Sequence, residues 1–412
     1  MRLNSAAIPP SCRFYPSGKC RQGDACVFNH DIPLVTKSLP SPPIVTVSKH
    51  TTTEITDALT GALLTQWRGD GDHNAHTHGF HPRKALMNPE TVKILLSLVH
   101  LKGAVFDPFC GSGTTTVETM LANRFAVGCD LSPLAVGIAR AHSWLGTEGE
   151  ISELTTIVRS LEVEDNDIDS LRSVVQKAAS STTNSNLSLA LLFILDYELA
   201  YKWEAWRKPK TLLKRFQRTS ERYILKIVGL RAAVSEGTRS PLLITHDAKI
   251  SLRDTKLLEG ELVAGVVTSP PYPGVYNYVV DDLQSFNKSG LVDILLDKKH
   301  DVSDAQEVGS RSQRDNDDVN FADRWQKDTV SWLIACADIM QVGGRILILI
   351  GDEGEINSFA SISEACEEIG VLHVIGCTSI KGEHAARRPW KGGRKRNYRT
   401  EHCIALEKLE KF

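Results

Sequence analysis

The chain has 412 residues, enough for more than one domain, and its 42% hydrophobic and 24% charged residues are the proportions of an ordinary soluble globular protein. The formal net charge of −2 excludes a global basic field, so any contact with nucleic acid has to come from local patches. No apolar run approaches the roughly 18 residues of a membrane span, and Met1-Arg2-Leu3-Asn4-Ser5 lacks the apolar core of a signal sequence.

The chain opens on a compact Cys/His unit, residues 1–31. Cys12, Cys20, Cys26 and His30 follow the spacing C-x7-C-x5-C-x3-H of a CCCH zinc finger. Three thiolates and one imidazole suit tetrahedral Zn2+. Phe14, Tyr15 and Phe28 supply aromatic rings, and Gly18 and Gly23 supply turns. A segment this small buries no core and needs the metal to fold. Such fingers commonly bind single-stranded RNA by stacking aromatics between bases; a purely structural or protein-binding finger is the competing reading. The six other cysteines are scattered, which argues against a disulfide framework and for a reducing compartment, nuclear or cytoplasmic.

Residues 32–54 carry Pro33, Pro40, Pro42 and Pro43 among many Ser and Thr, and read as a flexible linker. A globular body is expected over 55–412. In it, Gly103–Asp107 reads as an apolar strand, and Thr114–Asn123 as a helix because Val117, Met120 and Leu121 recur at i, i+3, i+4. Ala126–Asp130 is a second strand. Pro133–His142 is a second helix, with Ser132 placed to cap it and Pro133 in its first turn. This strand–helix alternation predicts a parallel sheet. From about 147 to 238 the pattern turns helical, in segments such as Leu189–Trp203 and Leu212–Val234, which predicts a helical insertion. Strand character returns at Leu242–Asp247, Leu262–Val267, Arg345–Asp352 and Cys403–Leu406. The polar stretch 296–320 reads as a mobile loop. Cys336, Cys366 and Cys377 stand in apolar surroundings and are expected in the core.

Two strings carry chemistry. The first, Asp107-Pro108-Phe109-Cys110-Gly111-Ser112-Gly113-Thr114, is a strand–glycine turn–helix junction, which brings backbone N–H groups and a helix N-terminus to one point. The dinucleotide pattern G-x-G-x-x-G is incomplete, since no third glycine follows Gly113. S-adenosyl-L-methionine has an amino-acid head and no phosphate, and fits a two-glycine turn better. Asp130, at the end of the next strand, is placed to accept ribose hydroxyls. Asp247, at the end of a third, is placed either for the adenine amine or as a helix cap. The second string, Ser269-Pro270-Pro271-Tyr272, follows an apolar strand, so in an open parallel sheet it faces the same crevice. A base amine is a weak nucleophile because its lone pair is delocalised. The Ser269 hydroxyl and the Pro270 carbonyl can accept its hydrogens and localise that pair. The prolines fix φ and limit reorganisation, and Tyr272 can stack on an extruded base.

With their flanking residues these strings, Phe106 to Thr115 and Thr268 to Tyr272, resemble the cofactor and catalytic motifs of the amino-group DNA methyltransferases, the cytosine-N4 and adenine-N6 enzymes. His76-Thr77-His78-Gly79-Phe80-His81-Pro82 resembles the segment that precedes the cofactor motif in cytosine-N4 members. The resemblance covers about 65–142 and 242–290, and is weaker to the end. It implies a Rossmann-like α/β fold of the S-adenosylmethionine-dependent methyltransferases, here with a helical insertion and a small zinc finger, and direct methyl transfer without a covalent intermediate. Ser at position 269 is more typical of the cytosine-N4 members.

Arg387, Arg388, Lys391, Arg394, Lys395 and Arg396 crowd one short segment with Trp390 and Tyr398, and read as a phosphate-binding loop; a solvated loop is the alternative. Lys208, Lys210, Lys214, Arg215 and Arg218 read mainly as an exposed helix face. The function expected is transfer of a methyl group to the exocyclic amine of a nucleic-acid base, cytosine N4 in DNA first. An RNA base amine guided by the finger is the alternative, and a non-catalytic RNA-binding protein is a further one.

Overall fold

The computed structural model describes residues 44–47 (backbone only), 52–81, 86–201, 212–253, 258, 260–277, 307–316, 318–383 and 398–410. Residues 45–412 form one compact unit. Its elements are β1 (Ile44–Val47), α1 (Thr53–Arg68), α2 (Pro89–Ser97), β2 (Ala104–Asp107), α3 (Thr114–Leu121), β3 (Ala126–Asp130) and α4 (Pro133–Ser143). Next come α5 (Glu148–Ser160), α6 (Ile168–Ser181), α7 (Ser185–Tyr201), α8 (Leu212–Ala233), β4 (Leu242–Thr245) and β5 (Val263–Thr268). The chain closes with α9 (Arg311–Asn316), α10 (Asp318–Ile339), β6 (Met340–Gly351), α11 (Ser358–Ile369), β7 (Leu372–Glu383) and β8 (Tyr398–Lys408).

The strands form one sheet in the order β1-β7-β8-β6-β5-β2-β3-β4. Strands β2 to β6 pair in parallel, as the alternation predicts, while β8 runs antiparallel between β6 and β7. The chain winds from β2 outward through β3 to β4, then crosses back to β5 on the other side of β2 and winds outward to β6. The topological switch point therefore lies between β2 and β5, and ligands of open α/β sheets bind outside the strand ends at such a point. This is the Rossmann-like arrangement expected of the S-adenosylmethionine-dependent methyltransferase fold.

Alternating residues fill the two faces. Phe106, Val266, Ile346, Ile348, Ile404 and Leu406 pack on one side with Trp332, Leu333 and Ile362 of α10 and α11. Val105, Val267, Leu347, Leu349 and Ala405 pack on the other with Leu59, Leu63, Val92 and Leu95 of α1 and α2. The insertion has a core of its own, in which Phe193, Phe216, Tyr223 and Ile227 close on Leu134 and Ile138 of α4. Helix α7 is apolar around most of its circumference because α4, α6 and α8 all pack on it. Caps follow the local sequence: the Ser132 hydroxyl accepts from the Ala135 N–H, and Thr147 with Glu150 forms a capping box that starts α5.

Two expectations are corrected. The stretch 296–320 is not a loop throughout: α9 and the start of α10 occupy it from Arg311, held by Gln313, Ser310 and Val308, all buried. The linker expected over 32–54 contains β1 and the first residues of α1; the β-branched Ile44, Val45, Thr46 and Val47 suit a strand added at a sheet edge. Cys336, Cys366 and Cys377 are buried, as expected.

Candidate active site

The glycine turn links β2 to α3. The Cys110 N–H donates to the Cys129 carbonyl at 2.9 Å, and the Gly113 N–H to the Cys110 carbonyl at 2.7 Å. Gly113 caps α3 at φ 86°, where a Cβ would stand 2.9 Å from the Ala139 Cβ. Gly111 has φ 50°, and a Cβ there would meet nothing nearer than the Phe109 carbonyl at 3.9 Å. The two glycines thus differ: Gly113 answers a packing demand, whereas Gly111 faces open space that a ligand can enter.

Polar groups brace this turn from below. The Asp130 carboxylate accepts the Gly111 N–H at 2.9 Å and the Ser132 N–H at 2.8 Å. His142 lies 2.7 Å through Nδ1 from the Ser112 carbonyl, which only accepts, so Nδ1 carries the hydrogen. Burial pushes its pKa down to about 4, keeping the ring neutral. The Thr77 hydroxyl donates to the His142 carbonyl at 2.7 Å, and His78 Nε2 meets the buried Glu118 carboxylate of α3 at 2.7 Å. The His-rich segment therefore wraps beneath the glycine turn.

The proline turn leaves β5. Ser269 and Pro271 are half-buried and Pro270 is buried. Tyr272 is 9% exposed: its ring lies against Gly351 of β6 and its hydroxyl stands 3.5 Å from Glu401 of β8. It offers a stacked base only a narrow edge in this conformation. The segment before α9 buttresses the turn. The Gly274 N–H donates to the Gly309 carbonyl at 2.8 Å, the Arg311 N–H to the Tyr276 carbonyl at 3.0 Å, and the Ser312 N–H to the Asn277 side chain at 2.7 Å.

The two strings meet through one carboxylate. The Thr268 hydroxyl donates to Asp107 Oδ1 at 2.7 Å, and the same oxygen accepts the Phe109 N–H at 3.1 Å. Both side chains are buried, and burial, opposed by the Thr268 bond, raises the Asp107 pKa to about 6. Thr268 is the residue that sequence reasoning left without a role; its only signal was a polar group at a strand end level with that of Asp107.

Asp247 lies two residues beyond β4. Its carboxylate accepts the Lys249 N–H at 3.0 Å and stands 3.8 Å from Lys249 Nζ, which is 3.5 Å from Asp328 of α10. Three carboxylates thus stand at the C-terminal ends of β2 and β3 and just beyond that of β4. They oppose a pyrophosphate and suit a ligand bearing an ammonium group and hydroxyls. Phe109 packs edge-on to Trp332, with ring centroids 5.6 Å apart. Pro108 and Ser112 complete the turn, and the Thr114 side chain is buried at the start of α3.

Cys12, Cys20, Cys26 and His30 lie outside the described residues, as do Arg387, Arg388, Lys391, Arg394, Lys395 and Arg396. Among the described residues, no group of three or more His, Cys, Asp or Glu could hold a metal ion. Lys208 and Lys210 are outside them too; Lys214 and Arg218 are exposed, and Arg215 turns inward to within 3.6 Å of Glu198. No described helix is long and apolar enough to cross a membrane.

Solved structures of similar fold include TrmN from Thermus thermophilus, at 13% identity over 80% of this chain and 51% of that one, TM-score 0.33. Another is the rRNA methyltransferase aviRa from Streptomyces viridochromogenes, at 11% identity over 79% and 86%, TM-score 0.32. The type II methyltransferase M.MjaII of Methanocaldococcus jannaschii is 36% identical over 69 residues, 16% of this chain. The aligned stretch spans 13% of that relative's length. Residues 63–140 match the N6_N4_Mtase family model, described as DNA methylase. That segment holds the His-rich stretch, the glycine turn and Asp130; the proline turn lies beyond it. Residues 63–140 are thus similar to the N6/N4 amino-methyltransferases, and the chain as a whole shares a short stretch of similarity with one type II methyltransferase.

Proposed function

We propose that this protein is an S-adenosylmethionine-dependent methyltransferase that modifies the exocyclic amine of a nucleic-acid base, with cytosine N4 in DNA as the leading substrate. One observation carries the reading: the glycine turn and the proline turn share a buried carboxylate at adjacent strand tips. A donor on one turn and an acceptor on the other would face each other across the switch point.

The residues fit the cofactor. Gly111 leaves room for close approach, Asp130 at the end of β3 is offered for the ribose hydroxyls, and the Asp107 carboxylate suits the charge of a cationic amino-acid head. Asp247 is offered for the adenine amine. When bound, the cofactor supplies an electrophilic methyl group on a sulfonium. The chain's own task is then to orient the amine. Ser269 Oγ and the Pro270 carbonyl accept its two hydrogens, which favours a pyramidal nitrogen with a localised lone pair. The rigid prolines hold these acceptors in place before the reaction, so little reorganisation is needed.

The alternative polymer is RNA, favoured by the Cys12, Cys20, Cys26, His30 spacing, which is offered as a Zn2+ site on sequence alone. The basic segment from Arg387 to Arg396 is offered as the phosphate contact. It joins β7 to β8, whose ends Glu383 and Tyr398 are partners in the ladder. That edge of the sheet is the one from which β6 also ends at Gly351, beside Tyr272. The test is to incubate the protein with labelled S-adenosylmethionine and with DNA or RNA, then identify the methylated nucleoside by mass spectrometry. N4-methylcytidine from RNA would move the substrate to RNA; no methylated base from either polymer would reject the reading.

A further inference from the structure

We propose that Thr268 is a positioning residue that ties the glycine turn to the proline turn, and so sets the distance between methyl donor and acceptor amine. The inference rests on the methyltransferase reading above.

On one side of β5 the ladder to β6 continues to the last residue, Thr268 opposite Ile348. On the other side the ladder to β2 ends earlier, at Phe106 opposite Val266, after a register shift at Ala104 and Val105. The tips of β2 and β5, which launch the two turns, are therefore joined past the ladder by a side-chain bond, Thr268 Oγ1 to Asp107 Oδ1 at 2.7 Å. Thr268 is fully buried and Asp107 is 3% exposed, so this bond has no water to compete with it.

Asp107 transmits the tie. The oxygen that takes the Thr268 hydroxyl also takes the Phe109 N–H, the bond that bends the chain out of β2 into the glycine turn. On the other side, Thr268 is bonded through the backbone to Ser269, the first residue of the proline turn. A shift of this one carboxylate moves the cofactor backbone and the amine acceptors together. No ladder pair between β2 and β5 is formed beyond Phe106 and Val266, so loss of the bond loosens the two tips relative to each other. Neither Thr268 nor Asp107 need touch the reacting atoms.

The test compares Thr268→Val, which keeps the shape and deletes the hydroxyl, with Thr268→Ser, which restores it. For Thr268→Val we expect kcat at least about tenfold lower, with KM for S-adenosylmethionine within about twofold, because small misplacements of reacting groups cost up to about 10²-fold. Thr268→Ser should recover kcat to within about threefold, since its hydroxyl can make the same bond. An unchanged kcat in Thr268→Val, or a loss expressed only in KM, overturns the proposal. A second readout needs no turnover: hydrogen exchange with and without S-adenosylmethionine. In the wild type, cofactor should slow exchange at 109–117 and also at 272–277; in Thr268→Val only at 109–117. Equal protection of both segments in the variant overturns the tie. A wild type protected by cofactor that methylates no nucleic acid rejects the proposed acceptor, while the exchange comparison still decides the tie. No protection at either turn in the wild type rejects both.

Discussion

The glycine turn and the proline turn are held in different ways. The glycine turn takes its supports from nearby in the chain: Cys129, Asp130 and His142 all lie within about 30 residues of Gly113 on the next strand and helix. The proline turn takes its supports from far away. Thr268 reaches Asp107 across 161 positions and Tyr272 approaches Glu401 across 129. A turn braced by its own strand–helix–strand unit forms whenever that unit forms. A turn braced by distant strands depends on the whole sheet, and small changes elsewhere can displace it. The contrast also tracks the family match, which covers the first turn and stops short of the second.

Ser269→Ala attacks the contrast at its chemical end. It should lower kcat by about 10²- to 10³-fold, the usual cost of removing one preorganised polar group from a reacting centre. The half-buried Ser269 carries no core packing, so the melting temperature should stay unchanged by calorimetry. Full methylation by this variant would remove the proline turn from the site.

The paired glycine variants sharpen the comparison within the first turn. Gly113→Ala forces a side chain to φ 86° and into Ala139, and should cost about 2–4 kcal/mol in chemical denaturation. Gly111→Ala, at φ 50° with open space beyond, should cost only about 1 kcal/mol. It should weaken S-adenosylmethionine binding instead. Equal destabilisation by the two would erase the distinction between a packing glycine and a ligand-facing one.

Asp107→Asn tests the carboxylate on which both turns hang. A carboxyl held at about 6 when folded, against about 4 when unfolded, binds its proton more tightly in the folded chain. Its stabilising contribution is therefore largest below pH 4, falls as pH rises through 6, and is level above. The total fall is about 3 kcal/mol. The variant lacks this fall, so its stability relative to the wild type should rise by about that amount between pH 4 and 7. A constant difference across that window would show that Asp107 titrates normally. The neutral His142 acts oppositely: its folded pKa of about 4 costs the protein stability as pH drops below about 6.5, in the wild type and the variant alike.

Asp130→Ala should leave the fold in place and give a roughly 10- to 100-fold weaker cofactor by calorimetry, the worth of one or two hydrogen bonds to a charged acceptor. The carboxylate also holds Gly111, so part of that loss is positional. Unchanged affinity would reject its proposed ribose contact.

Much of this was legible in the residues. The strands β2 and β3, the helices α3 and α4 and the Ser132 cap can be read from local periodicity, because each is specified by contacts a few residues apart. The helical character of 148–233 was legible for the same reason, and the apolar run Leu189 to Leu195 already marked α7 as a buried helix. The antiparallel β8 between β6 and β7 was not, nor was the helix α9 in a polar stretch. Both owe their form to neighbours remote in sequence, which periodicity does not record.

The sequence by itself determined the two turns: which residues stand in each, which positions need glycine, and where proline stiffens the backbone. Only the tertiary structure decided that they meet, and through which atoms. Strand order places β5 beside β2, and the early end of their ladder leaves Thr268 and Asp107 to make the junction. Local sequence can fix the shape of a turn because its constraints are local, while the spacing between two turns is fixed by the register of a sheet assembled across the whole chain.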